Sequence, residues 1–136
     1  MTNELILLID RLESEHVDVL HALKMVRPAV EDHDGVALQE ALEAGGEEFG
    51  TALNMHIEAE DEDLFPRIAE MIGEGMVGVF VDEHVQIKAL RDQVYERMAQ
   101  GGTDFDGCAE LCELLGSHIE REDQVLFPAA RGSLAD

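Results

Sequence analysis

Part of this chain is written twice, and the repetition limits what it can fold into. His56-Ile57-Glu58-Ala59-Glu60-Asp61-Glu62-Asp63-Leu64-Phe65-Pro66 is echoed by His118-Ile119-Glu120-Arg121-Glu122-Asp123-Gln124-Val125-Leu126-Phe127-Pro128. Upstream, Glu15-His16-Val17 is echoed by Glu83-His84-Val85. Each half therefore carries a lone His followed by a His-x-x-x-Glu pair that closes on Leu-Phe-Pro. Neither half holds a complete core alone, so the simple solution is two helix pairs burying their apolar stripes against each other about a pseudo-twofold axis.

Four segments have helical periodicity. The first runs from about Asn3 to Val26, ending before Pro28, and sets His16 in a stripe with Leu5, Ile9, Leu12, Leu20 and Leu23. The second runs from near Asp34 to about Leu64 and carries Leu38, Leu42, Phe49, Leu53, His56 and Glu60 on one face. Gly45, Gly46 and Gly50 weaken and bend its first half, and Pro66 ends or kinks it. Gly73 and Gly75 mark the connection to a third helix, from about Met76 to Ala99, with Val77, Phe80, Val81, His84, Ile87, Tyr95 and Met98 inside. Gly101 and Gly102 close it. The fourth starts at Thr103 or Asp104, either of which can cap it, and ends or kinks at Pro128. Its stripe is Leu111, Leu114, Leu115, His118, Glu122 and Val125. Short connections favour an up-down-up-down order, so residues 1–136 read as a single all-α domain, a four-helix bundle.

A carboxylate on an apolar face is costly unless paired. Here the cost is incurred twice, with the same spacing. Four residues is about one helical turn, so His56 stacks over Glu60 and His118 over Glu122. With His16 and His84 added, four imidazoles and two carboxylates converge in an otherwise apolar interior. A metal pair supplies the positive charge this arrangement lacks. Six donors exceed one tetrahedral site, and a carboxylate can bridge two ions. Without thiolates, a mixed imidazole and carboxylate set suits iron, manganese or zinc. Iron is the expectation, with zinc and manganese left open.

His16, His56-x-x-x-Glu60, His84, His118-x-x-x-Glu122 and both Leu-Phe-Pro tails resemble the hemerythrin-like (HHE cation-binding) family over nearly the whole chain. The resemblance implies a left-handed four-helix bundle around a non-haem di-iron centre with oxo or hydroxo bridging. It implies that Glu60 and Glu122 bridge the irons. It also implies that His16 and His56 cap one iron and His84 and His118 the other, or the swapped pairing. Oxygen-carrying hemerythrins place a second His one turn along the third helix. Here that position is Lys88, and its counterpart after His16 is Leu20. A symmetric six-residue set is therefore expected, with room left for an exogenous ligand.

Among the remaining polar residues, Lys88 and Arg91 lie near the inner face of the third helix. Either their stems pack while their charges reach outward, or one donates to a bound oxygen species or offsets carboxylate charge. Tyr95 reads as core, and His21 and His33 as surface. Glu13, Glu58, Glu83 and Glu120 are solvated or outer-sphere acids, and Asp63, one turn past Glu60, is the best spare ligand.

Nine basic residues against thirty-one acidic ones give a formal net charge of −22. That argues against a nucleic-acid surface and against anionic membranes. No apolar run is long enough to span a bilayer, and the first residues carry no secretory signal. Cys108 and Cys112 stand one turn apart and are expected to be reduced core thiols, which fits a cytoplasmic location. The expected partner is a small molecule: O2, NO or H2O2. A peroxide-decomposing, catalase-like enzyme and an iron-responsive or storage protein are the alternatives. Oligomeric state is left open.

Overall fold

The computed structural model describes residues 2–135, and among them every regular element is helical. The first rod is α1 (Thr2–Glu31). The second is built from α2 (Gly35–Ala44), α3 (Gly46–Phe49), α4 (Thr51–Ala59), a π-helical turn (Glu60–Leu64) and α5 (Phe65–Ile72). The third is α6 (Glu74–Ala99). The fourth comprises α7 (Phe105–Arg121), a second π-helical turn (Glu122–Leu126) and α8 (Phe127–Ala135). α1 packs on the second rod and on α7, while α6 packs on α5 and α7. Short connections make successive rods antiparallel, which gives the expected bundle.

The rods outrun the boundaries expected at the prolines. α1 passes Pro28 and ends at Glu31. Pro28 is exposed, so its missing donor falls on the wet side, and burial of Ala29 holds the last turn in place. Pro66 and Pro128 do not end their rods either. Each sits at the second position of a new α segment, just after a π-helical turn. In both turns the ladder widens by one residue, with Phe65 N–H donating to Glu60 C=O and Phe127 N–H to Glu122 C=O. A following proline offers no N–H, so the loosened carbonyls lose little by the change.

The expected weak point in the second rod is real. At Gly50 the backbone turns to φ −96°, ψ −108°, and α3 gives way to α4. A Cβ there would lie 2.5 Å from the Gly46 carbonyl oxygen, so only glycine fits the close approach. Gly73, at φ 100°, reverses the chain between the second and third rods. At the fourth rod Asp104 is the cap, its side chain accepting from Gly107 N–H at 2.8 Å.

Two apolar clusters fill the interior. One contains Val19, Leu23, Leu53, Ile57, Ile87, Leu111, Leu115 and Ile119. The other contains Leu5, Ile9, Leu12, Leu64, Phe65, Phe80, Leu126 and Phe127. Between them lies a layer of polar side chains. Two expected stripe residues are not inside: Leu20 is 39% exposed and Val125 50%. The buried arc of α1 is centred toward Leu12 and Val19, which leaves Leu20 on its rim. Val125 is displaced by the extra residue of its π-helical turn, and Leu126 takes the inward place.

Candidate metal centre

The polar layer consists of His16, His56, Glu60, His84, His118 and Glu122, all buried. They form two overlapping groups, His16–His56–Glu60–Glu122 and Glu60–His84–His118–Glu122. Within each group the donor atoms lie within 4.8 Å of one another, and both carboxylates are shared. All six residues singled out in the sequence are thus brought together, whereas His21 and His33 are exposed.

Each imidazole is held by its outer nitrogen. His56 Nδ1–H donates to Glu15 at 2.8 Å, and His84 Nδ1–H to Asp61 at 2.7 Å. His118 Nδ1–H donates to Glu83 at 2.8 Å, and His16 Nδ1–H to Asp123 at 2.7 Å. Every rod lends a carboxylate to the next, and the ring closes from the fourth rod back to the first. A carboxylate can only accept, so the four bonds fix one tautomer and aim all four Nε2 atoms inward. The aromatic tails brace the same rings. Phe127 stacks on His16 at 5.7 Å and Phe65 on His84 at 5.6 Å, and Phe80 meets His118 edge-on at 5.3 Å.

The inward atoms satisfy one another only in part: His84 Nε2 pairs with Glu60 Oε1 at 2.9 Å. His16 Nε2 faces His56 Nε2 at 3.1 Å. Glu60 Oε2 and both Glu122 oxygens are buried without a hydrogen-bond partner. Glu122 Oε1 lies 3.1 Å from His16 Nε2 and 3.2 Å from His118 Nε2, close enough for charge attraction but not aligned for a bond. Converging lone pairs on nitrogen and carboxylate oxygen are what a hard or borderline cation requires, so the residues fit a metal.

Without a cation, the cluster neutralises itself with protons. Burial, then the charge of Glu122, drives the Glu60 carboxyl well above the carboxylate range. Burial also opposes charge on Glu122, but the close approach of the Glu60 carboxyl and of the His118 and His16 imidazoles outweighs it and holds Glu122 well below that range. For His16, burial is overcome by the bond to Asp123 and by the adjacent Glu122 carboxylate, which push it up to about 9. Burial and the neighbouring imidazole hold His56 and His84 below the usual histidine value.

Several outer residues sit elsewhere than expected. Asp63 is exposed and touches nothing in the centre. Like Val125, it is turned outward by its π-helical turn, while Leu64 points in. Asp61 and Asp123 take the outer role together with Glu15 and Glu83. The echo carried that signal, because Glu15 recurs as Glu83 and Asp61 as Asp123. Arg91 does not donate into the centre; its Nε donates to the exposed Asp92 carboxylate at 2.7 Å. Arg91 itself is 8% exposed, and its Nη1 donates to the Phe49 carbonyl and to Asn54 Oδ1, each at 2.8 Å. It supplies the donor missing at the helix break. Lys88 is half-buried, and Tyr95 O–H donates to the Leu42 carbonyl at 2.6 Å, as a core residue would. Cys108 and Cys112 are free and buried.

Beside the donors is a cavity of about 10 Å³, room for one water-sized body. Its other walls include Val19, Leu53, Ile57, Ile87, Leu115 and Ile119. Among the described residues, no helix is long and apolar enough to cross a membrane.

The chain matches the Hemerythrin HHE cation binding domain over residues 7–130. A protein named DNA nickase from Nostoc sp. (strain PCC 7120 / SAG 25.82 / UTEX 2576) is 32% identical over 84 residues. That stretch covers 61% of this chain and 24% of the nickase, so the likeness spans about a quarter of the relative. No solved structure matches.

Proposed function

This chain belongs to the hemerythrin HHE cation-binding family, and from that premise we propose that it is a non-haem di-iron protein that binds or reacts with a small oxygen or nitrogen species. The observation that carries the reading is the inward aim of four imidazole Nε2 atoms onto two carboxylates, three of whose four oxygens are buried without a hydrogen-bond partner. Glu60 and Glu122, common to both groups, would bridge the ions. His16 and His56 would complete one position, and His84 and His118 the other. Bound iron would supply the electrons and the Lewis acidity that O2, NO or peroxide chemistry needs.

The chain's own part is to orient, to exclude water and to hold protons. Four outer carboxylates keep a proton on each Nδ1 and hold the rings with Nε2 facing the centre. The apolar walls of the cavity exclude water and favour a small, weakly polar ligand. The proton held by Glu60 and that held by His16 must leave when a cation enters, which ties loading to pH.

The nicking activity named for the Nostoc protein is not carried over. The aligned part is a minor share of that protein, and a charge of −22 repels a phosphate backbone. Metal analysis of protein purified without added metal, together with absorption spectra in both oxidation states, tests the proposal. Close to two irons per chain, with bands that change on adding O2 or NO, is the expected result. Stoichiometric zinc, or iron whose spectrum ignores O2, NO and peroxide alike, would overturn it.

A further inference from the structure

The internal repeat acts as its own control, because any difference between equivalent outer contacts is a difference between the two metal positions. Glu15 and Glu83 are equivalents, each bonded to a His Nδ1 at 2.8 Å. Their surroundings are not alike. Arg121 Nη2 donates to Glu83 Oε2 at 2.6 Å, with side chains 37% and 14% exposed. The guanidinium also lies over the Phe80 ring at 5.5 Å, and that ring meets His118 edge-on. His118 is thus fixed by a clamped carboxylate on one side and a clamped ring on another. In the other half the position equivalent to Arg121 is Ala59, which has no donor to offer. Glu15 is instead approached by Arg11 at 3.4 Å, with side chains 40% and 57% exposed. A pair that solvated holds little in place.

We infer that the two metal positions are unequal by construction: Arg121 pre-organises the His84–His118 position through Glu83, so that this position fills first and holds its ion more tightly than the His16–His56 position. The inference rests on the proposed metal centre and adds to it an order of loading. Arg121 acts here as a positioning residue. An ordered outer carboxylate commonly changes metal affinity by about 10- to 100-fold, which is enough to separate two binding steps. The positive charge of Arg121 works against a nearby cation. That charge is already spent on Glu83, while the rigidity it confers remains.

Cobalt(II) titration of the metal-free full chain tests this, read by visible absorption and calorimetry. Two resolved steps of one ion each are expected. Arg121→Ala should weaken the first step by about 10- to 100-fold and merge it with the second, leaving the total bound unchanged. Arg11→Ala, its counterpart in the other half, should leave both steps in place. His118→Ala should abolish the tighter step and His56→Ala the weaker one. Circular dichroism of the arginine variants checks that the bundle persists. Two ions entering the unaltered protein in one step would overturn the inference while leaving the metal centre standing. Two steps unmoved by Arg121→Ala, or a tighter step lost in His56→Ala, would also overturn it. Binding of no cobalt at all would remove the proposed centre and the inference together.

Discussion

A histidine that offers Nε2 to a cation must have its other nitrogen spoken for, and four carboxylates perform that task here. Residue by residue, the consequences differ sharply. His56→Ala or Glu60→Ala removes a central donor and leaves its neighbours as unmet buried acceptors. Both are expected to lower metal content by at least one ion per chain and to lower the melting temperature of the loaded protein. His21→Ala and His33→Ala should leave metal content intact and stability within about 0.5 kcal/mol. Metal analysis and thermal melts of the four variants check this, and an effect of His21→Ala equal to that of His56→Ala would refute the assignment. At this scale the six central residues could be read from sequence because they break the apolar rule twice with one spacing. The outer acids could not be read so easily. Acidic residues are abundant in this chain, and nothing in an isolated Asp61 distinguishes it from the exposed Asp63 two places on. Only the recurrence of Asp61 as Asp123 and of Glu15 as Glu83 marks them.

At the scale of elements, the π-helical turns are the features that periodicity hid. A reading at 3.6 residues per turn carries Asp63 and Val125 inward. The inserted residue rotates both out and brings Leu64 and Leu126 in. The turn also places Phe65 and Phe127 flat against His84 and His16, which gives the Leu-Phe-Pro tails a physical role. The helix break at Gly50 was legible as a glycine cluster, but its partner was not. Arg91 lies 41 positions further along the chain, and its donation to the Phe49 carbonyl is a tertiary contact with no local signature. Gly50→Ala should cost about 2 kcal/mol or more, because its Cβ would sit 2.5 Å from a backbone oxygen that cannot turn aside. Gly46→Ala, which meets open space, should cost far less. Urea denaturation of both variants, with equal slopes, is the measurement.

For the molecule as a whole, the metal-free protein should respond to pH in a definite sense. His16 rises from the ordinary 6.5 to about 9 on folding, so its bonds stabilise fully below pH 6.5 and are lost as pH climbs through 9. Glu60, also raised on folding, contributes in the same direction. His56 and His84 are lowered, so they weaken the fold only below about 6.5, where the unfolded chain takes up their protons. Between pH 6.5 and 9 the metal-free protein should therefore lose on the order of 3 kcal/mol. A bound cation replaces those protons, so the loaded protein should change little over the same range. Melts of both forms at several pH values would show the gap widening upward, and a constant gap would contradict the protonation scheme.

The split interior carries a mechanical consequence. Two oily compartments separated by a sheet of charge have no greasy continuity to bind one end of the barrel to the other. Whatever sits in that sheet works as a rivet. Once a chelator withdraws it, the compartment around Phe65 and Phe127 should breathe separately from the one around Leu23 and Leu111. Amide hydrogen exchange would then show two distinct opening energies where the riveted protein shows one.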